Sequence, residues 1–202
     1  MTEERRRGRP RTRETDLAIL TAAREVLLED GYGRLTMEHV AARAGVGKPT
    51  VYRRWPSKAQ LVGETMLHAY TQAVAGAPDG PVDSGDIGRD LAAWLHTCAQ
   101  VAADPRTGPL VLALAAASAA SPEDADTLQE AFTRTQHLAV VHRLEVAVKS
   151  GQLREDVALD AIADALIGTV LYRLLTGRSG DPGQWVEPTV ELVLRGSAPP
   201  GR

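Results

Sequence analysis

Residues Leu35 to Lys58, LTMEHVAARAGVGKPTVYRRWPSK, constrain the fold more tightly than any other stretch of the chain. Thr36 is a hydroxyl cap placed to open a helix, and Val40 and Ala44 face inward at helical spacing. Gly45 ends that helix. A second helix is predicted from Lys48 to Arg54, with Pro49 in its first turn, where proline costs little, and Val51 as its inward anchor. Trp55-Pro56 stops it, because a residue before proline avoids the α region. Two short helices joined by a glycine turn are the layout of a helix-turn-helix, whose second helix can enter a DNA major groove.

The side chains suit that task. The exposed positions of the second helix include Lys48, Thr50, Tyr52, Arg53 and Arg54. Threonine can meet a base edge, a thymine methyl or a phosphate, and the cations suit guanine edges and phosphates. Ser57 and Gln60 form a capping box for the next helix, so Ser57 and Lys58 combine free backbone N–H groups with a cation, a ready phosphate site. The helix start at Thr36 offers the same without the cation. Ahead of all this lies an arginine-rich arm, residues 1–14, expected to be flexible without a partner. Its Arg7-Gly8-Arg9-Pro10 resembles the core of an AT-hook, whose arginines lie in a narrow minor groove. Charge follows the same division: residues 1–58 hold 13 Lys+Arg against 8 Asp+Glu, while the rest hold 10 against 18. A basic end on an acidic body points to a polyanionic partner for the first part only.

The remainder reads as all-α, about nine helices in total. Alanine, leucine and valine supply most of the apolar mass, and no strand-like alternation stands out. Helices are expected at about Thr15–Glu29, Lys58–Ala75, Ile87–Ala103, Pro109–Ala119 and Leu159–Thr176. Another could run unbroken from Ser121-Pro122 to Lys149. A short last helix lies within Pro182–Leu194, its start uncertain around Pro188. Gly76–Gly85 is the clearest loop. The domains expected are the arm at 1–14, a DNA-binding unit at 15–58 and a larger body at 59–202. With one cysteine, Cys98, no intrachain disulfide can form. That suits a reducing cytoplasm. No N-terminal secretory signal and no membrane-spanning apolar run are read.

GYGRLTMEHVAARAGVGKPTVYRRWPSKAQLV resembles the DNA-binding region of the TetR family of bacterial transcriptional regulators, with the match extending from Thr15 to about Val62. The resemblance implies a homodimeric repressor with an N-terminal DNA-binding domain and a C-terminal domain that dimerises and takes up a small-molecule effector. By resemblance, Thr36, Lys48, Thr50, Tyr52 and Lys58 fall on positions that touch DNA, the last two mainly at phosphates. With Arg7, Arg9 and Arg53 they make up the expected contact set, and the expected operator is an inverted repeat in double-stranded DNA. One departure is Gly47, where the family usually carries a Ser or Thr cap. Gly47 removes one hydroxyl that could reach a phosphate.

On fold analogy an effector cavity lies among the helices of the body. Side chains with a polar tip or aromatic body on apolar helices are its candidates: Met66, Tyr70, Trp94, Cys98, Phe132, Gln136 and Tyr172. The Leu159–Thr176 helix is apolar around most of its circumference and must be buried on two sides. Small residues at Ala161, Ala165, Gly168 and Thr169 permit close helix approach. With Val190 and Leu194 of the last helix they form the expected dimer interface. His68, His96, His137 and His142 show no metal-ligand spacing, and no nucleophile, cofactor or phosphate-loop motif is present, so neither a metal, a cofactor nor an enzyme activity is expected. Two other classes stay open from sequence: an architectural DNA-binding protein with no effector, and a small-molecule binding protein whose DNA-binding unit is vestigial.

Overall fold

The computed structural model describes residues 9–74, 80–128, 130, 133–178 and 180–196. Among them lie ten α-helices and no strand: α1 (Arg9–Arg34), α2 (Met37–Arg43), α3 (Lys48–Tyr52), α4 (Lys58–Ala73), α5 (Ile87–Ala103), α6 (Gly108–Ala120), α7 (Pro122–Leu128), α8 (Arg134–Lys149), α9 (Leu159–Leu175) and α10 (Val186–Arg195). No described helix is long and apolar enough to cross a membrane. Arg7 and Phe132 lie outside the described residues, as does most of the expected arm.

The chain divides into two compact units. One comprises Met1–His68 with Ala113–Ala131, the other Ala69–Leu112 with Phe132–Arg202. The divisions fall within α4, within α6 and between α7 and α8. In the first unit Ile19, Ala23, Val26 and Leu27 of α1, Val40 of α2, Val51 of α3 and Leu61 of α4 are all essentially without exposed surface. Burying a Val, Leu or Ile side chain contributes about 1.5–3 kcal/mol. α1 begins at Arg9, earlier than Thr15, and its regular geometry is interrupted at Gly31, where φ is 75°. A final turn then carries the chain to Arg34.

In the second unit α5, α8, α9 and α10 pack around Leu91, Leu95, Leu144, Leu166, Trp185 and Val186. Asp86 caps α5 by accepting from the Arg89 N–H at 3.0 Å. Beneath the loop before α5 lies a buried ion pair. Arg143 of α8 donates to Asp90 of α5 at 2.8 and 2.6 Å, and Asp83 stands 3.2 Å from the same guanidinium. Ser84 donates to the Asp90 carboxylate from its backbone N–H. Burial pushes the Asp90 carboxyl upward, but the Ser84 hydrogen bonds and the Arg143 guanidinium outweigh it and hold the group below the usual carboxylate range.

Two expectations about helices change. The helix expected to run unbroken to Lys149 is interrupted: α7 ends at Leu128, Glu130 and Thr133 lie in wider π-type turns, and α8 starts at Arg134. The two helices serve different cores, Leu128 in the first unit and Val140, Leu144 and Ala147 in the second. The last helix starts at Val186 behind a 3-10 turn, Pro182–Gln184. Pro188 therefore sits in its first turn, where a missing N–H costs nothing, and no kink is needed.

Candidate DNA-binding site

The helix-turn-helix is built by the local signals its sequence carries. The Thr36 hydroxyl accepts from the His39 N–H at 3.1 Å, capping α2. At the other end Gly45 adopts φ 66°, its N–H bonds to the Ala42 carbonyl and the Val46 N–H reaches back to Ala41. This pair of bonds is the Schellman closure, which needs the left-handed residue that glycine supplies without strain. Gly47 caps α3 with no side-chain bond, as its lack of a hydroxyl requires. Ser57 accepts from the Gln60 N–H at 3.2 Å and opens α4.

Lys48, Tyr52 and Arg53 are exposed, Thr36 is exposed beside them in sequence order at the start of α2, and Thr50 is half-buried. Nothing is described of the Arg9 side chain, although its backbone opens α1. Arg54, read as an exposed DNA-facing cation, is turned inward instead. It pairs with Asp16 of α1 and donates to the Thr50 carbonyl at 3.0 Å. It fastens α3 to α1 rather than offering its charge to a ligand. Trp55 is buried, with its indole N–H donating to Glu64 at 2.6 Å, so the WPSK corner is anchored in the core. Arg43 ties α2 to α1 through Glu29 and Glu25.

Two features went unread in the sequence. Lys58 does not hang free: its ammonium donates to the Tyr32 carbonyl at 3.0 Å and stands 4.0 Å from the centre of the Tyr32 ring. And an acid sits within the cationic face. Glu38 of α2 lies 3.4 Å from Lys48 and accepts from the Tyr52 hydroxyl at 3.5 Å. Its own backbone N–H at the helix start does most to hold its carboxyl below the usual range, with partial burial opposing and Lys48 assisting. A carboxylate facing a polyanion weakens attraction. Glu38→Gln should therefore raise affinity for random-sequence DNA about fivefold at low salt, where an exposed charge is least screened. Fluorescence-anisotropy titration reads this, and unchanged or weaker binding would contradict it.

The residues expected to line an effector cavity do not all gather. Met66 is buried in the first unit. In the second, the Tyr70 hydroxyl bonds the Cys98 sulfur, and burial pushes that thiol up to about 12. Trp94, one helical turn before Cys98 on α5, is buried, and its indole N–H has no hydrogen-bond partner among the described residues. Gln136 is half-buried on α8. Tyr172 departs from the expectation: it is 57 % exposed on the outside of α9.

That outer face of α9 is continuous. Ala161, Ala165, Gly168, Tyr172 and Leu175 are all exposed and recur at alternating spacings of four and three, a single helical stripe. The space beside Gly168 is open. Ile162, Ala163 and Leu166 on the opposite face are buried in the chain's own core. Thr169 lies half-buried at the edge of the stripe, with its hydroxyl bonded to the Ala165 carbonyl. Val190, expected on the same face, belongs instead to the intrachain core, and Leu194 packs half-buried against that core. On α10 the outward apolar side chain is Leu192, 74 % exposed. Three of the histidines stand beside carboxylates: His96 by Glu187 at 2.8 Å, His137 by Asp164 at 3.3 Å and His142 by Glu145 at 3.8 Å.

Comparison with known proteins agrees with this architecture. Residues 19–65 match the bacterial regulatory proteins of the tetR family, and residues 81–193 match the tetracyclin repressor-like C-terminal domain. The chain is 31 % identical over 171 residues to the HTH-type transcriptional regulator YdeS of Bacillus subtilis, covering 84 % of this chain and 83 % of that one. It is 32 % identical over 193 residues to the DNA-binding transcriptional repressor TetR of Mycobacteroides abscessus, covering 90 % and 94 %. The crystal structure of the TetR family transcription regulator SCO0332 superimposes with a TM-score of 0.69 at 31 % identity, over 92 % of this chain and 100 % of that one. With both family regions matched in order along one all-α chain, this protein belongs to the TetR family and is a DNA-binding helix-turn-helix transcriptional regulator.

Proposed function

We propose that the chain acts as a homodimeric repressor in the cytoplasm, holding an inverted-repeat operator until a small molecule bound in the second unit releases it. The observation that carries this reading is the apolar stripe of α9. It is a face the chain's own core does not cover, and a two-fold pairing through it makes two recognition helices act together. Within each half-site Lys48, Thr50 and Arg53 face base edges, while Thr36, Tyr52 and Lys58 hold phosphates. Arg7 and Arg9 of the arm follow the adjacent minor groove. In functional terms residues 15–58 are the reader, 1–14 its arm and 59–202 the body that dimerises and senses.

For the effector, Tyr70, Trp94 and Cys98 are the favoured contacts. Two aromatic bodies, a polarisable sulfur and an unpartnered indole donor suit an apolar molecule carrying a hydrogen-bond acceptor. Release requires that the ligand bind the two states of the dimer unequally, with a coupling of about 1–3 kcal/mol. Binding-site selection from genomic fragments, followed by footprinting, tests the reading. Two protected half-sites one helical turn apart, or a multiple of it, are expected. A single asymmetric footprint, or no enrichment over random DNA, would sink it.

A further inference from the structure

We propose that Asp124 and Tyr32 are positioning residues for DNA binding, acting through Lys58, and that they link the state of α7 to the phosphate-holding end of α4. The proposal rests on the reading above that Lys58 meets a phosphate.

Lys58 lies in the first turn of α4, where free backbone N–H groups already favour an anion. A lysine side chain loses up to about 2 kcal/mol of rotamer freedom when ordered. Here one residue removes much of that freedom before DNA arrives, because Tyr32 supplies both the carbonyl at 3.0 Å and the ring face at 4.0 Å. An ammonium has three donors, so one carbonyl leaves others for a phosphate.

What holds Tyr32 is then the question. It follows Gly31, where the helical geometry of α1 is broken, so an uninterrupted helix does not fix it. Its hydroxyl donates at 2.6 Å to the Asp124 carboxylate, a residue 92 positions away in the chain. Burial, together with Asp124, raises the phenol well above its ordinary value, so the tyrosine remains a donor throughout the physiological range. Asp124 sits in the first turn of α7, whose positive end favours its charge, and its own N–H bonds the Ser121 carbonyl at 3.0 Å. All of these residues belong to the first compact unit. Beyond Leu128 the regular helix gives way to π-type turns at the point where the chain passes to the second unit. Within the first unit α7 is thus joined to Lys58 by the Asp124 carboxylate and the Tyr32 ring.

The test uses full-length protein and a duplex carrying the site recovered by selection, with affinity measured across a salt series. Lys58→Ala should reduce the salt slope by about one phosphate per protomer. Tyr32→Phe keeps the ring and the carbonyl and removes only the tether. Asp124→Ala removes its other half, and Asp124→Asn restores an acceptor. We expect Tyr32→Phe and Asp124→Ala each to lose about threefold to tenfold in affinity. Each should also show part of the Lys58→Ala slope change. Their combination should be no worse than either alone, and Asp124→Asn should approach wild type. Additive losses with an unchanged slope would mark a purely structural contact and overturn the proposal, as would wild-type binding by Tyr32→Phe alongside a weakened Lys58→Ala. If Lys58→Ala itself keeps the wild-type slope, the phosphate reading of Lys58 fails and the proposal fails with it. If no duplex is recovered in the selection, the operator reading is what has failed, and the proposal built on it falls too.

Discussion

Ala165→Arg should leave the chain folded but monomeric, and operator affinity should fall by about 10²–10⁴-fold. Ala165 is exposed, so an arginine there meets no intrachain neighbour that must move. In a two-fold pair the same position lies near its own symmetry mate, and two guanidiniums would replace two methyl groups at the closest approach of the helices. The stripe is graded, small at Ala161, Ala165 and Gly168 and bulky at Tyr172 and Leu175, so backbones can close at one end while large side chains interlock at the other. A dimer on two half-sites gains its second contact intramolecularly, and that gain typically amounts to about 10²–10⁴-fold. Sedimentation equilibrium reads the assembly, a gel shift reads the affinity, and circular dichroism reads the fold. A variant that remains dimeric with wild-type affinity would move the pairing face elsewhere on the molecule.

Asp90→Ala should destabilise the second unit by about 3 kcal/mol. The cost comes from what remains: Arg143 is buried and would keep only Asp83 at 3.2 Å. For a chain of this size, that is a fall in melting temperature of roughly 6–12 °C. Replacing both partners, Asp90→Leu with Arg143→Met, should recover most of the loss, because no charge is then stranded. The pH dependence has a definite sign. The folded carboxyl of Asp90 titrates below its unfolded value, so its contribution is complete above about pH 4 and disappears as pH falls through the folded value. The stability gap between wild type and Asp90→Asn should therefore narrow in acid. Calorimetry over a pH series checks this, and a gap that widens toward low pH would contradict it.

The parts legible in the sequence were those whose causes are local. Thr36, Gly45, Pro49 and Ser57 each act on bonds within five residues, and each acts as its residue type requires. The bounds of α5 follow from Asp86 ahead of it and Asp104-Pro105 behind it. Illegible features depended on distance or on phase. Arg54 is drawn inward by Asp16, and Tyr32 is held by Asp124, partners that no local pattern joins. The stretch between α7 and α8 carries no Gly or Pro to signal a change, and the helices on either side of it belong to different units. In α9 the difficulty was the opposite. A helix apolar around most of its circumference gives little clue to which face turns inward, and Tyr172, expected in a cavity, lies on the exposed stripe. On α10 the apolar side that carries Val186 and Val190 turns into the chain's own core, and Leu192 is left facing outward.

The tether between Tyr32 and Asp124 also orders events in time. The first compact unit recruits Ala113–Ala131 to the N-terminal helices, so its parts leave the ribosome far apart. At about 5–20 residues per second, the interval between Tyr32 and Asp124 is on the order of 5–20 seconds. During that interval the recognition helices are already synthesised, yet the ring beneath Lys58 lacks its anchor. On the proposed role of Lys58, a product truncated before α7 is expected to be a weak competitor for the operator rather than a constitutive repressor.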